Sequence, residues 1–464
     1  MRSVDTGDHA CRCAESPRSA GGRVVLGIAA LVCCCVTAGW WGALDAGFVF
    51  DDIIRIVHRE ESLATPWPTW DLVRTSQRPL VELTLWANYA IGGLAPRGYH
   101  VFNLIVHALA ATALALVVLE ALACLRAREG SVDESGRDRW IAVSVALLWG
   151  LHPLQASAAT YVIQRAESLA ALWTLLAALS LLRGRTVSVV LCVVAAILSK
   201  PTAVSAPFVI LALDVCVVAG NMRSALRARW KMHAADMAAL SLLVALGVIG
   251  GLLGAEDGRI AGYGAGVAGV GPIDHAWRAL HALGLYVALP FAPGFLAIDR
   301  GTAALLQTEW LVLGIAAIAA LLALLVRGRS AWWIVLPIGF CVLLAPTTSV
   351  VPLADAAVDH RMYLPSALIA IAVVALGARF AAGSGGRRLV AIAALALVVV
   401  LELAGTAARN RAFADPIALW TEVIEDDPTH ARALRNRAGL LLEAGRDDEA
   451  AADLARARAI EPGS

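Results

Sequence analysis

Long apolar segments separated by short polar loops make up most of the chain. The first segment covers residues 24–44 and the last covers 389–406. A helix needs about 20 apolar residues to cross a bilayer. Several segments are shorter, but their number and order predict an all-α polytopic membrane protein with about eleven transmembrane helices. The other segments are residues 100–122, 140–151, 166–182, 186–199, 202–220, 236–254, 309–326, 331–346 and 364–380.

Basic residues in the short loops predict the topology, because Lys and Arg concentrate on the cytoplasmic side of a membrane. The tail 1–23 is then cytoplasmic and precedes a transmembrane domain over 24–406. A large first loop, 45–99, and the C-terminal part, 407–464, lie on the opposite face. The segment 281–297 must enter and leave on one face, which predicts a re-entrant or interfacial element. The basic loops are residues 126–139, 183–185, 221–231, 327–329 and 386–388.

The composition supports a membrane protein and excludes other classes. Hydrophobic residues make up 59% of the chain and charged residues 16%, whereas soluble domains carry about 25% charged residues. The net charge is +1, and no basic patch is interleaved with aromatic residues, so no nucleic-acid partner is predicted. Cys33, Cys34 and Cys35 lie inside the first apolar segment, which is not the pattern of a disulfide framework. The residues after that segment are a poor cleavage site, so it is predicted to be an uncleaved first helix.

The C-terminal part, 407–464, has a different pattern, with small and apolar residues at helical spacing. Pro428 and Pro462 are 34 residues apart, and Gly445 lies at a predicted turn. This spacing indicates about one and a half tetratricopeptide-type repeats, although a plain helical hairpin is an alternative. An independent array needs roughly three repeats. The segment is therefore expected to pack on the membrane domain, on a partner or on a second copy.

Two adjacent carboxylates, Asp51 and Asp52, follow the first apolar segment. An aspartate before the apolar stretch that follows can cap a helix by accepting backbone N–H groups. It can also act as a base at the membrane surface. The residues alone leave both interpretations open.

The second apolar segment carries a polar stripe, because His100, Asn103 and His107 share one helix face. Polar side chains in a membrane helix are unfavourable unless they face protein or a wet cavity. One histidine would be typical of a helix–helix hydrogen bond, whereas three polar groups on one face indicate the wall of a cavity.

Two further polar clusters lie on the predicted outer face. In the first, His152 ends a short apolar segment and Arg165 begins the next. Arg165 is a candidate for binding an anion, or it neutralises Glu167. The second contains Asp359, His360, Arg361 and Tyr363. Anchoring at the membrane interface explains Tyr363 and Arg361, but not an Asp-His-Arg triplet. Carboxylates, histidines and arginines on one face suit transfer of a group from an anionic lipid carrier.

The ordered motifs resemble a known family. They are FVFDDIIRI, SQRPLVELTLWANYAIGG, YHVFNLIVH, LHPLQASAATYVIQRAESLA, DHRMYLPS and RNRAFADPIALWTEVIEDDP, which span residues 48–462 together with the repeat segment. In this order they are similar to the transmembrane-and-tetratricopeptide (TMTC) O-mannosyltransferases of the GT-C glycosyltransferase superfamily. The resemblance implies a GT-C-like membrane enzyme that uses a polyprenyl-phosphate sugar as donor and a Ser or Thr hydroxyl of an exported protein as acceptor.

The resemblance also implies roles for residues. Asp51 or Asp52 becomes the acidic residue required for transfer, and Asp52 is preferred as the base with Asp51 in positioning or metal binding. A divalent cation is left open, and the repeats would recruit the acceptor. The residues implied to bind substrate or phosphate are Arg78, His100, Asn103, His152, Arg165, His360, Arg361 and Tyr363.

Three departures from the family qualify this picture. Ser157 stands where an acidic residue is common, Pro201 follows Lys200 where a glutamate is usual, and the repeat array is short. The first two weaken the case for a metal. The third weakens the case for recognition of a protein acceptor. The Ala- and Arg-rich composition and the short array favour a bacterial relative in the inner membrane, with its site on the periplasmic face, and a lipid or envelope glycan is the alternative acceptor. A non-catalytic scaffold is the competing hypothesis. A transporter is disfavoured, since no inverted repeat is evident.

Overall fold

The computed structural model describes residues 22–67, 76–130, 135–245, 271–327, 331–348, 355 and 357–461. Within these ranges the chain is helical and contains no β-strand. One isolated antiparallel bridge joins Arg300 and Ala357. The predicted all-α class is therefore confirmed for the described residues. Most of the N-terminal tail and the second half of the predicted segment 236–254 lie outside them.

The helices follow the predicted apolar segments, with extra short helices in the loops. The first half contains α1 (Gly22–Gly39), α2 (Asp51–Arg55), α3 (Glu60–Leu63), α4 (Pro79–Gly92), α5 (Pro96–Glu129), α6 (Ser135–Gly150), α7 (Ala156–Ala159), α8 (Arg165–Leu182), α9 (Thr186–Ser199) and α10 (Ala206–Leu213). The second half contains α11 (Met222–Ala245), α12 (Pro272–Ala288), α13 (Thr302–Leu305), α14 (Thr308–Arg327), α15 (Ala331–Leu344), α16 (Pro365–Ala381), α17 (Gly385–Ala414), α18 (Pro416–Asp426), α19 (Ala431–Glu443) and α20 (Asp447–Ile460).

Several helices are long and apolar enough to cross a membrane. In the described part of the chain five qualify by length and composition, and a pair bent by 54° between Gly150 and Pro153 makes a sixth. Four shorter apolar helices, which contribute to the predicted count of eleven, fall below that length. The structure thus supports an integral membrane protein, and the count of eleven stays a prediction. The five are Gly22–Gly39, Pro96–Glu129, Val162–Leu182, Pro201–Val218 and Gly385–Ala414.

An aromatic cluster around His107 joins the central helices. The His107 ring nitrogens are bonded to the Tyr363 hydroxyl (2.7 Å) and to the Gly150 carbonyl (2.9 Å). Trp40 and Trp149 pack against the same imidazole with ring centroids 5.3 and 5.5 Å away. All of these side chains are buried, so both imidazole nitrogens are satisfied in the interior, as a buried polar group requires.

The predicted re-entrant segment 281–297 forms the end of α12 and two single turns of 3-10 helix, Leu289–Phe291 and Pro293–Phe295. Helix α12 packs closely on α14. A side chain at Gly284 would collide with the Trp310 carbonyl, and one at Gly314 with the Leu280 carbonyl. These glycines let the two backbones approach, as small residues do at membrane helix contacts.

The C-terminal segment, residues 416–461, consists of the helices α18, α19 and α20. Helices α19 and α20 form a hairpin whose turn contains Gly445 at φ 70°, as predicted. Leu441 is buried between them, and Arg437 donates to both oxygens of Asp453 (2.7 and 2.8 Å). Assigning this hairpin to the tetratricopeptide type stays a prediction.

Candidate functional site

Asp52 is fully buried and binds backbone N–H groups from two distant parts of the chain. Its Oδ2 accepts hydrogen bonds from Val49 (3.1 Å) and Val162 (3.4 Å), and its Oδ1 accepts one from Ile163 (2.7 Å). Burial raises the pKa of Asp52 to about 7, although the three N–H groups oppose the rise. This carboxylate therefore fastens the first loop, residues 45–99, to the segment that precedes α8.

Asp51 has a different environment, although it is the adjacent residue. Its backbone N–H donates to the Tyr161 hydroxyl (3.1 Å), and its half-buried carboxylate makes no ion pair with any described residue. Burial, and secondarily the Asp355 carboxylate, raise the pKa of Asp51. Of the two aspartates, Asp51 is thus the one available to a ligand. The cations that oppose the rise are Arg55, Arg78 and Arg432.

The polar stripe of α5 faces protein. Asn103 donates through Nδ2 to the carbonyls of Tyr161 (3.5 Å) and Val162 (3.3 Å), the same segment that Asp52 holds. His100 is also buried, and backbone carbonyls of Ala46, Gly47 and Thr160 face its ring, although none meets hydrogen-bond geometry. Asn103 therefore supports the backbone behind the carboxylates.

Arg165 is enclosed by neutral groups. Its guanidinium donates to the Thr84 hydroxyl (3.3 Å), to the Asn88 side-chain oxygen (2.6 Å) and to the Tyr99 carbonyl (3.2 Å). It also lies over the Phe102 ring, 4.6 Å from the centroid. Because the side chain has no exposed surface, its hydrogen bonds link α4 and α5 to α8, and its N–H groups are not available to bind a phosphate.

Glu167 is paired with Lys200, which corrects the expectation that Arg165 neutralises it. The Lys200 ammonium donates to Glu167 Oε1. Arg78 and Arg361 act electrostatically on the same ammonium. Burial lowers the pKa of His360 well below its ordinary value, and Lys200, Arg361 and Arg78 lower it further. The result is a neutral imidazole beside three cations. The sequence analysis missed Lys200 as a site residue because its partner, Glu167, is 33 residues away on another helix.

The triplet at 359–361 divides into separate roles. Asp359 is buried and accepts from Arg300 Nη2 (3.2 Å) and from the Ala297 N–H (2.7 Å). Burial raises the pKa of Asp359, and Arg300 opposes the rise. Arg361 donates instead to the Asp355 carbonyl (3.1 Å). Asp359 therefore holds Ala297 and Arg300 of the preceding loop, whereas Arg361 contacts Asp355.

His152 and Tyr363 have structural partners. The His152 Nδ1 accepts from the Leu154 N–H (3.0 Å), so its Nε2 must donate to the Pro290 carbonyl (3.0 Å). Tyr363 is enclosed in the aromatic cluster with His107, where its carbonyl accepts from the Trp149 indole (2.7 Å). Neither side chain joins the group around Asp51.

The C-terminal segment contributes charges that the sequence did not assign to the site. Arg432 donates to both oxygens of Asp299 (2.9 and 2.7 Å) and to Asp355 Oδ1 (2.8 Å). His430 Nε2 is 3.0 Å from the same Asp299 carboxylate. Burial would raise the pKa of Asp299, but His430 and Arg432 hold it below its ordinary value. The available signal was the charged pair Asp299-Arg300, which directly follows the predicted re-entrant segment.

A small cleft of about 40 Å³ opens beside Arg361. Its charged lining residues are Glu167 and Arg361, and Ala170, Ala203 and Leu343 are among the small and apolar ones. No group of three or more His, Cys, Asp or Glu side chains suited to a metal occurs in the described ranges. The divalent cation therefore stays a prediction without a site.

Curated relatives of this chain carry one shared name. The chain is 32% identical over 163 residues to protein O-mannosyl-transferase TMTC3 of Homo sapiens, and 29% identical over 202 residues to Tmtc1 of Drosophila melanogaster. It is 28% identical over 175 residues to TMTC4 of Mus musculus. The resemblance to the TMTC family is confirmed.

The similarity covers a limited part of each protein. The alignments include 32%, 39% and 33% of the TMTC-like chain, and 16%, 22% and 22% of the three relatives. The chain thus spans about a fifth of the length of the curated relatives it matches. No protein-family model and no solved structure matches the TMTC-like chain.

Proposed function

We propose that the chain is a GT-C-type membrane glycosyltransferase. It moves a hexose, mannose by analogy with the names of its relatives, from a polyprenyl-phosphate donor to a Ser or Thr hydroxyl of an exported protein. The observation that carries the proposal is the half-buried Asp51 carboxylate, which makes no ion pair with a described residue and lies among Arg55, Arg78 and Arg432. A carboxylate whose pKa is raised is a competent base, and nearby cations suit an anionic leaving group.

The reaction follows from these two groups. Asp51 takes the proton of the acceptor hydroxyl, and the oxygen attacks the anomeric carbon of the sugar. The bond from that carbon to the phosphate oxygen breaks, and its electron pair leaves with the polyprenyl phosphate. Arg78, Lys200 and Arg361 stabilise the negative charge, since they act on one another across a single region. Asp52 holds the loop and takes no part in the proton transfer, so the proposed roles are the reverse of the sequence-based preference.

A small cleft beside Arg361 is where a lipid-linked donor would place its phosphate. Arg361 and Glu167 line it together with Ala170, Ala171 and Leu364. The phosphate would meet Arg361, and the polyprenyl chain would lie outside the cleft. In this proposal His360 is a neutral hydrogen-bonding group next to the donor. The supporting residues are His100, Asn103, His152, Arg165 and Tyr363.

The location of the C-terminal segment supports a site on the outer face. Trp420 contacts Phe50 in the first outer loop with ring centroids 5.1 Å apart, and Arg432 binds Asp299 and Asp355. The C-terminal part and the carboxylates thus share one side. We place that side in the periplasm of a bacterial inner membrane, where the segment meets the exported acceptor.

The test is donor turnover by the full chain in lipid nanodiscs. Polyprenyl-phosphate mannose is supplied with Ser/Thr-rich peptides, and released polyprenyl phosphate and glycopeptide are measured. Asp51→Asn is expected to slow turnover by about 10²–10⁴-fold, the usual contribution of a general base. Asp45→Asn removes the same charge from an exposed residue of the same loop and should leave the rate unchanged.

Each other outcome has a defined meaning. Full activity of Asp51→Asn would overturn the assignment of the base. Donor binding without turnover on any acceptor would favour the scaffold. Turnover on envelope glycans but not on peptides would replace the protein acceptor with a glycan.

A further inference from the structure

Phe50, the residue before Asp51, has a strained backbone. Its φ is 49° and its ψ is −116°, and within the described ranges it is the only residue other than glycine with a positive φ. A bulky L-residue rarely adopts this conformation, and it persists only where its surroundings enforce it. The position of the Asp51 carboxylate therefore depends on what holds Phe50.

Two aromatic side chains hold the Phe50 ring, and they come from different parts of the chain. Trp420 of α18 meets it edge to face, with centroids 5.1 Å apart and planes at 76°. Tyr161 of the membrane domain lies 6.3 Å away on centroids and accepts the Asp51 N–H through its hydroxyl. Trp420 is only 2% exposed, so the C-terminal segment supplies one half of this aromatic enclosure.

The helix that carries Trp420 is capped at its start and tethered to other elements beyond its end. At its start, Asp415 Oδ1 accepts the Ala418 N–H (3.1 Å), which caps the helix. Beyond its end, Arg432 grips both oxygens of Asp299 and one of Asp355. Bidentate arginine–carboxylate pairs define geometry as well as attraction. Trp420 is therefore presented to Phe50 by a segment that is tethered on the same side as the site.

We infer that Trp420 is a positioning residue of the transfer reaction, through which the C-terminal segment holds Phe50 and keeps Asp51 in its reactive place. The inference rests on the proposed function, in which Asp51 is the base. It assigns the segment a part in the chemical step itself, in addition to meeting the acceptor. A displacement of about 1 Å at a catalytic group can slow a reaction by about 10²-fold, so this contact should be visible in the rate.

The experiment measures kcat and donor KM for the full chain in nanodiscs, with polyprenyl-phosphate mannose and Ser/Thr-rich peptide. Trp420→Leu should lower kcat by at least about tenfold while donor KM changes by less than about twofold, because the donor cations are untouched. Trp420→Phe keeps an aromatic edge and should recover most of the rate. Leu441→Ala removes buried volume from the same segment without touching Phe50 and is the matched control.

A second pair of variants keeps the test decisive if Trp420→Leu does not fold. Phe50→Leu removes the other ring of the contact and should reproduce the loss of kcat. The double variant Phe50→Leu, Trp420→Phe should be no slower than Phe50→Leu alone, since side chains that act through one contact are not additive. A segment that is only destabilised would explain neither the recovered rate of Trp420→Phe nor the non-additive losses in the double variant.

Three results would overturn the inference. The first is a kcat of Trp420→Leu that lies within twofold of the kcat of Leu441→Ala. The second is a change in acceptor KM with no change in kcat. The third is a double variant whose loss of kcat equals the combined losses of the Phe50 and Trp420 single variants. These failures differ from failure of the proposed function. If Asp51→Asn stays active, the proposed function fails whatever Trp420 does. If Asp51→Asn is inactive and Trp420→Leu matches its control, only the positioning role fails.

Discussion

Two groups of buried charges in this protein differ in how completely they are paired. The first group, predicted to lie on the inner side, is near the basic loop 221–231, where Asp214 accepts from Arg229 Nε (2.9 Å) and His233 Nε2 (2.8 Å). In the second group, predicted to lie on the outer side, the Asp51 carboxylate makes no ion pair with a described residue, although Arg78 is close enough to oppose the rise of its pKa. A carboxylate with all its partners in place stabilises the fold. A carboxylate that has no partner and lies beside cations is available to a substrate.

The strongest test of this comparison replaces one cation in each group. Lys200→Gln leaves the half-buried Glu167 without its cation, and Arg229→Gln leaves the buried Asp214 with His233 as its remaining partner. Loss of one partner of a buried pair costs about 3–5 kcal/mol of unfolding free energy. Both variants should therefore lose stability in thermal unfolding, but only Lys200→Gln should also weaken donor binding, by about tenfold or more.

A rescue separates stability from binding in that experiment. Adding Glu167→Gln to Lys200→Gln removes the orphaned carboxylate and should restore thermal stability, whereas donor KM should stay high. If the double variant recovers donor KM, the Lys200 cation does not bind the donor and the second group is as structural as the first.

The next largest effect is expected at Asp52, and it distinguishes the two adjacent aspartates. Asp52→Asn replaces one acceptor oxygen with an NH₂ group that faces backbone N–H donors. An unsatisfied buried donor costs about 1–3 kcal/mol, so its unfolding temperature should fall. Asp51→Asn is the control and should unfold like the parent chain. Equal unfolding temperatures for both variants would contradict the structural role of Asp52.

The sequence predicted where the carboxylates lie but not which one is available. Apolar periodicity and basic loops placed Asp51 and Asp52 together, and both have the same chemistry. The difference comes from Val162 and Ile163, about 110 residues further along, whose N–H groups reach only Asp52. A contact of that sequence separation has no local signal.

Helical periodicity predicted the helices well, but it did not predict which groups the charged side chains bind. The stripe of His100, Asn103 and His107 was predicted to form the wall of a cavity. In the structure Asn103 and His107 bond protein groups, because polar groups in a membrane helix need partners. Arg165 was judged by its guanidinium alone. Its neutral partners, Thr84 and Asn88, lie on α4, and the packing of α4 against α8 is a tertiary property that spacing does not encode.

The smallest predicted effect concerns the electrostatics of Asp51. Transfer requires the ionised base, so the rate should fall as pH drops through the pKa of Asp51, which lies above its ordinary value. Arg55 is exposed and opposes that rise. Arg55→Gln should therefore move the acid limb of the kcat/KM profile to higher pH, by a few tenths of a pH unit because water and salt screen an exposed charge. Arg97→Gln, an exposed arginine of the same loop, should leave the limb in place. At about 1 M salt the shift should vanish. An acid limb that is the same in Arg55→Gln and the parent at low salt would mean that another group controls the rate.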